Sequence, residues 1–338
     1  MTTPFVRQLK LWLWKEVHIT YMVGKRSSET LKCNTYVDEI KTFDEDIFAQ
    51  KHIWKWCKLI FQLRELSQKN DTVFVFDKHW IVNLTLWLWG FKRRIGFNRL
   101  GKQRFFLTDR IYWDATKREV EYYLDLLSCI HIQPNYDDQE YDPQVSSCHH
   151  ILDDTSKKKI DALIHTLRSS WKKIIWISTG WWNALSPKWD CRWWTLNKRK
   201  ELSQQLLMQW NIVVLLWSKS DRNLDIDHEN LIHLLWKYSI VETIYIVNAL
   251  DFVICQESWF AHFVWCTRTP MLALAGPTNP YRFYPHTTQK ESHPIWWLWK
   301  CKKECYDVYG WYSACKGDEI DKITVADVLE NMSRETTS

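Results

Sequence analysis

The feature that most restricts the fold of this chain is a regular alternation of short apolar runs with longer amphipathic ones. KEVHITYMVG (15–24) and DTVFVFD (71–77) read as strands, and HIWKWCKLIFQLRELSQ (52–68) between them carries apolar residues at helical spacing. EVEYYLDLLSCI (119–130) reads as a further helix. After an acid-rich stretch with two prolines, QPNYDDQEYDPQVSSCHHILDDTSKK (133–158), the alternation restarts. This second run predicts helix 156–170, strand 173–178, helix 197–209, strand 211–217 and a helix near 229–237. Strands 243–247 and 251–255, helix 259–267, strand 270–274 and a last helix at 324–332 follow. Strands separated by helices join as βαβ units and build parallel sheets. The expectation is an α/β chain of two Rossmann-like domains, residues 1–150 and 151–338, with parallel sheets facing a cleft.

With 338 residues there is chain enough for two cores, and 46% hydrophobic against 25% charged residues is a soluble globular balance. A net charge of +5 is too mild to imply nucleic acid. The longest apolar run, Trp80 to Phe91, is shorter than the roughly 20 residues a bilayer span needs and contains Asn83. The N-terminal residues lack the apolar centre of a secretory signal. The 10 cysteines are scattered, mostly singly, which suits a reducing compartment better than a disulfide framework. A cytoplasmic location is expected.

Two counts depart from the norm: 8 glycines, where an average of about 7% would give roughly 24, and 24 tryptophans. The tryptophans stand where glycine is expected. Trp210 in LLMQWNIVVLL separates a helix from a strand, the position after a helix that favours glycine. Trp217 ends the next strand, and Trp181 and Trp182 follow Gly180 at the end of another. Some bacterial lineages read the codon UGA as glycine where other codes read tryptophan. The pattern is that of such a gene translated with the wrong code; a chain truly rich in tryptophan is the alternative. A nucleic-acid binder would instead interleave aromatics with cations on one face.

In doubly wound sheets, ligands lie outside the carboxyl ends of the strands. Three such ends in the second half are polar and turn-rich: STGWWNALSPK (178–188), WSKSD (217–221) and QESWFAH (256–262), the last followed by GPTNP (276–280). With glycine at the suspect positions, the first becomes a loop whose amides could hold a phosphate. The third becomes an acid–Ser–Gly turn into a helix N-terminus, an anion site by dipole and free amides. Taken singly, each loop also reads as a solvated turn.

Together these segments resemble glycosyltransferase family 9, the ADP-heptose:lipopolysaccharide heptosyltransferases. The family's acid–Ser/Thr–Gly–x–x–His segment is similar to Glu257-Ser258-Trp259-Phe260-Ala261-His262. Its continuation through T-P, an apolar strand and G-P-T-D/N-P is similar to Thr269-Pro270 through Gly276-Pro277-Thr278-Asn279-Pro280, with matching spacing. VVLLWSKSD resembles the family's strand followed by G-G-P-D, which places Asp221 at the acid. KRRIGFNRLGKQRFFLTDRI (92–111) with EVEYYLDLL (119–127) resembles the first domain, and Thr2-Thr3-Pro4 and ITVADVL (323–329) also fit. Family members carry glycine where Trp217 and Trp259 stand.

The resemblance implies a GT-B fold and inverting transfer of a sugar from a nucleotide-sugar donor, heptose from ADP-heptose, to a lipopolysaccharide-core or other cell-surface glycan. A carboxylate would deprotonate the attacking hydroxyl while amides, hydroxyls and a cation meet the leaving diphosphate, with no metal or other cofactor. The implied donor site comprises Thr179, Gly180, Trp181, Lys188, Asp221, Glu257, Ser258, Trp259, His262 and Thr278. Glu257 suits donor or ribose hydroxyls; His262, one turn into the helix, is either a site residue or a packed one. The acceptor side would use Asp77, in Asp77-Lys78-His79, with Arg93 and Arg94. Those arginines belong to the basic stretch Lys92, Arg93, Arg94, Arg99, Lys102, Arg104, which reads as a solvated face or as a patch for a lipid-linked acceptor at the inner membrane surface.

Two departures from the family stand out. Its phosphate-side Lys aligns with Cys191 of Cys191-Arg192-Trp193. Its catalytic Asp, in a G-D loop after a first strand, would fall upstream of Met1, so no catalytic base is assigned. A catalytically inactive GT-B binding or scaffold module is the alternative these departures imply. Cys301, Cys305 and Cys315 have only partial metal spacing.

Overall fold

The computed structural model describes residues 2–13, 17–25, 27–48, 53–77, 80–98, 105–112, 114, 117–136, 151–178, 194–215, 224–234, 237–265, 267, 269–276, 279–283, 295–300 and 320–335. The chain divides into two compact units, Met1–Tyr141 and Asp142–Ser338.

In the first unit, helix α1 (Thr3–Leu13) buries Phe5, Val6 and Leu9 on one face, the 3–4 spacing that turns a helix toward a core. Strand β1 (Thr20–Gly24) pairs in parallel with β2 (Glu39–Phe43). Helix α2 (Ile53–Lys69) buries Leu59, Leu63 and Leu66 on the same spacing and leads into β3 (Thr72–Val75). After helix α3 (Trp80–Leu88), strands β4 (Arg93–Asn98) and β5 (Asp109–Tyr112) extend a parallel sheet in the order β3-β4-β5. Helix α4 (Glu119–Leu124) tightens into a 3-10 turn over Asp125–Ile130 and stops at His131, whose backbone is left-handed at φ 62°.

The second unit holds one six-stranded parallel sheet. Helix α5 (Asp154–Arg168) is capped by Asp153, whose carboxylate accepts the Ser156 N–H at 2.8 Å. Strand β6 (Ile174–Ile177), helix α6 (Leu196–Met208), β7 (Ile212–Leu215) and β8 (Leu231–His233) follow. Then come helix α7 (Ile240–Val247), β9 (Phe252–Gln256), α8 (Trp259–Trp265), β10 (Met271–Ala275), α9 (Pro280–Phe283), β11 (Ile295–Trp299) and α10 (Val325–Glu335). Spatial order is β11-β10-β9-β6-β7-β8. Strands β6, β7, β9 and β10 are buried at every position, as a sheet covered on both faces requires.

Three expectations are corrected. Residues 240–247 form a helix, although Thr243, Ile244 and Ile246 favour strands. A capping box decides it: Ser239 Oγ accepts the Glu242 N–H at 3.3 Å and Glu242 accepts the Ser239 N–H at 2.7 Å. Residues 231–233, expected inside a helix, form an edge strand because Val213, Val214 and Leu215 offer a ladder for Leu231, Ile232 and His233. Cys33 is disulfide-bonded, unlike the unpaired thiols expected, whereas Cys57, Cys129 and Cys255 are free. Among the described residues no helix is long and apolar enough to cross a membrane.

Candidate functional site

The winding of the second sheet fixes where a ligand can enter. From β6 the chain steps one way to β7 and β8, then returns to the other side of β6 for β9, β10 and β11. Strands β6 and β9 are therefore neighbours whose outgoing connections diverge. Their carboxyl ends form the crevice where doubly wound sheets bind ligands. The register Ile175↔Phe252, Trp176↔Val253, Ile177↔Ile254 holds the two ends level. Just beyond, the Ser178 N–H bonds the Ile254 carbonyl at 2.9 Å, and the Glu257 N–H bonds the Leu274 carbonyl at 2.9 Å. The beginning of the 178–188 loop, the Glu257-Ser258 turn and the end of β10 at Gly276 are thus brought to one edge.

Glu257 is buried at this edge. Ser258 starts α8: its Oγ accepts the Phe260 N–H at 3.3 Å and its carbonyl the Ala261 N–H at 3.1 Å. This hydroxyl cap fixes the turn and leaves the Ser258 O–H hydrogen available to donate. His262 lies one turn on, half-buried, with Nδ1 shut from solvent. Burial pushes its imidazole down to about 3, so the ring is neutral at ordinary pH. A neutral ring is suited to hydrogen bonding and not to countering a diphosphate.

Two residues at this edge were missed by sequence reasoning. Gln256, the last residue of β9, is 4% exposed, and its Nε2 is a buried donor without a partner. Arg282, in the turn of helix after Asn279, is 7% exposed, a guanidinium buried in the segment that follows β10. The only sequence signal was its place two residues after GPTNP. Thr179, Gly180, Trp181, Lys188, Cys191, Asp221 and Thr278 lie outside the described residues, as do Cys301, Cys305 and Cys315. Trp259 opens α8 in the described backbone.

In the first unit, Asp77 is exposed just past the carboxyl end of β3. Arg93 and Arg94 begin β4, at the amino end of that strand. Arg93 grips Asp109 through Nε at 3.1 Å and Nη2 at 3.0 Å, and Nη2 also donates to the Cys129 carbonyl at 2.5 Å. Arg94 Nε donates to the Phe106 carbonyl at 2.6 Å, and its Nη1 to the Phe91 carbonyl. Lys92 pairs with Asp71 at 2.7 Å. These cations tie strands and turns together, and strand-end logic puts them at the sheet edge opposite Asp77. Arg99, Lys102 and Arg104 lie outside the described residues.

The sequence profile of glycosyltransferase family 9 (heptosyltransferase) matches residues 56–305. No curated protein matches. Among solved structures, a glycosyl transferase family 9 protein from Veillonella parvula DSM 2008 superposes with a TM-score of 0.74 at 15% identity, covering 98% of this chain and 92% of its own. The E. coli ADP-heptose LPS heptosyltransferase II gives 0.70 at 18% identity, with 98% and 93% covered. E. coli heptosyltransferase WaaC with ADP-2-deoxy-2-fluoro heptose gives 0.69 at 12% identity, with 99% and 95% covered. At these identities the likeness is one of fold, and the fold is of the GT-B type expected.

Proposed function

This chain belongs to glycosyltransferase family 9, and we propose that it moves a heptose from ADP-heptose to a lipid-linked cell-surface glycan of the lipopolysaccharide-core class. The observation that supports this reading is the β6–β9 junction, where the Ser178 N–H bonds the Ile254 carbonyl at 2.9 Å and holds the end of β6 against β9, the strand that leads into Glu257 and Ser258. The solved relative carrying ADP-2-deoxy-2-fluoro heptose supports the donor class.

In this reading the donor straddles the carboxyl ends of β6, β9 and β10. Glu257 takes hydroxyls of the ribose or the sugar. Ser258, Thr278 and the amides of 179–182 hold the diphosphate, with Lys188 and Arg282 as its cations and Asp221 at the rim. Gln256 Nε2, left without a partner by the protein, gains an acceptor from the ligand. Leaving-group charge is met by these donors without a metal. His262 supports the turn as a neutral ring. Asp77, at the strand end of the first unit, serves the acceptor. The pairing of Arg93 and Arg94 within their own unit supports a structural role for both. Work at the cytoplasmic membrane face is part of the same reading.

The donor loops need room, so the tryptophans in them matter. Trp171 and Trp210 have left-handed backbones, φ 56° and 66°, and are 98% and 75% exposed. At the end of α6 the Trp210 N–H bonds Leu207 O at 3.0 Å and the Asn211 N–H bonds Leu206 O at 3.3 Å, the closure that normally selects glycine. Trp194 differs: it is 1% exposed and donates to the Ile323 carbonyl at 2.8 Å, as a true tryptophan should. The contrast supports the reading that Trp171, Trp181, Trp210, Trp217 and Trp259 stand for glycine in the natural protein. The transferase test is direct: naturally produced protein, ADP-heptose and a heptose-deficient lipopolysaccharide core should yield glycosylated product. A protein that binds ADP yet never transfers would favour the inactive-module reading.

A further inference from the structure

Two amide side chains of the first unit are buried without partners, and the topology brings them to one edge. Asn83 is 0% exposed and Asn98 is 3% exposed. Among the described residues nothing hydrogen-bonds Asn83 Nδ2, Asn83 Oδ1 or Asn98 Oδ1, and all three atoms are shut from solvent. Such groups cost stability and call for an explanation. Thr85, two residues on in the same helix, shows the ordinary solution: its hydroxyl donates to the Ile81 carbonyl at 2.8 Å. Asn83 makes no such bond, in a helix otherwise without an amide or a charge, WIVNLTLWL.

Strand direction places both residues. Strands β3 and β4 are parallel neighbours, so α3 between them runs back from the carboxyl edge to the amino edge. Asn83 stands in the first turn of α3 and Asn98 ends β4, so both lie at the carboxyl edge. They also share a face. A methyl added to Gly96 would lie 3.3 Å from the Val75 side chain and 3.2 Å from that of Leu107. Val75 and Leu107 share a core with Leu86 of α3 and Leu63 of α2. Asn98, two residues after Gly96, points to that same side. Ile95 and Phe97 alternate to the other, where Phe97 stacks on Tyr122 of α4 at 4.1 Å. The register Val75↔Gly96, carried two residues on, sets Asp77 level with Asn98. Arg93 and Arg94 begin the same strand at the opposite edge.

We propose that Asn83 and Asn98, with Asp77 at the rim, form a subsite that reads hydroxyl groups of a sugar in the acceptor glycan. The unpaired atoms select this chemistry. Asn83 Oδ1, Asn98 Oδ1 and the Asp77 carboxylate need donors, whereas Asn83 Nδ2 needs an acceptor. A hydroxyl supplies both. An anion would leave the carboxamide oxygens unsatisfied and meet the charge of Asp77; an apolar group would satisfy none of them. Unpaired amides reject a ligand that lacks the matching hydroxyl, which makes them specificity determinants. That the glycan is an acceptor rests on the transferase reading; the subsite itself rests on the three unpaired atoms.

Calorimetry with a deacylated, heptose-deficient lipopolysaccharide-core oligosaccharide in EDTA tests this, with ADP titrated in parallel. The proteins are the unaltered chain and its Asn83→Leu, Asn98→Leu and Asn98→Ser variants; the Ser variant reports binding if Leu does not fit. The unaltered chain should bind the oligosaccharide, and each variant at least ~10-fold more weakly, with ADP affinity unchanged. Leu, of similar volume, removes unpaired groups, so the melting temperature of its variants should hold or rise. Equal oligosaccharide affinity in the folded variants, or no binding by the unaltered chain, overturns the proposal. So does binding that appears only with added magnesium or calcium, which would make the oxygens a cation site. Amide-dependent binding without transfer from ADP-heptose would keep the subsite and sink the transferase reading. Transfer with amide-independent binding would do the reverse.

Discussion

The Glu257 N–H donates to the Leu274 carbonyl at 2.9 Å, fastening the acid–Ser turn to the neighbouring strand before the chain enters α8. The turn is therefore held on the β10 side by this bond and on the β6 side by the Ser178–Ile254 bond. Such a turn is held by backbone bonds, with the Ser258 hydroxyl as its cap.

Glu257→Gln keeps the shape of a buried side chain and removes its charge. We predict an affinity for ADP-sugar at least ~10-fold weaker by calorimetry, equivalent to about 1.4 kcal/mol, with little change in melting temperature. Ser258→Ala should weaken donor binding less. Unchanged affinity in both variants would remove these residues from the site.

Trp210→Gly and Trp171→Gly should stabilise the protein. A left-handed backbone costs a bulky residue about 1–2 kcal/mol. Trp210 recovers part of this under Lys172, 5.7 Å from its ring centroid, a contact worth about 0.5–1 kcal/mol at an exposed site. The net gain should be about 1 kcal/mol per site, or 2–4 °C in a thermal melt. Trp194→Gly should do the opposite, by several kcal/mol, because it empties a buried position and leaves the Ile323 carbonyl with only its Lys198 donor. Destabilisation by all three changes would mean that the tryptophans are native.

Arg93→Ala should lower stability by about 1 kcal/mol, since the guanidinium is part-exposed but holds Asp109 and the Cys129 carbonyl. Acceptor use measured at fixed folded protein should not change. Asp77→Asn should do the reverse, reducing turnover of acceptor while leaving the melt in place. A selective loss of acceptor use in Arg93→Ala would restore that arginine to the binding surface.

His262 supplies a pH test. Its folded value, about 3, lies below the free-imidazole value of about 6.5. The unfolded chain therefore binds more protons in between, and stability falls as pH drops from 6.5 toward 3. By NMR the His262 ring should stay neutral down to pH 5. Titration near 6.5 would contradict the burial that positions it.

Much of this was legible in the sequence, for reasons that differ by segment. Buried parallel strands such as Ile174–Ile177 and Met271–Ala275 read as unbroken apolar runs, and the polar residues that end them mark the site edge. Residues 240–247 were misread because branched side chains outvoted the Ser239–Glu242 box, a local signal available from the start. Strand 231–233 depends on β7 alongside and has no local signature. Arg282 resembled any surface arginine until burial singled it out. Arg93 and Arg94 read as a patch from the sequence, and their hydrogen bonds to Asp109 and to backbone carbonyls are contacts that only the fold creates.

The central claim, a nucleotide-sugar site at the β6–β9 junction, is tested most directly by photo-crosslinking an azido-ADP probe to the naturally produced protein and mapping the labelled peptides. We predict label within 178–194 and 256–283, displaced by ADP-heptose. Label confined to the first unit, or label that ADP-heptose does not displace, would contradict the account.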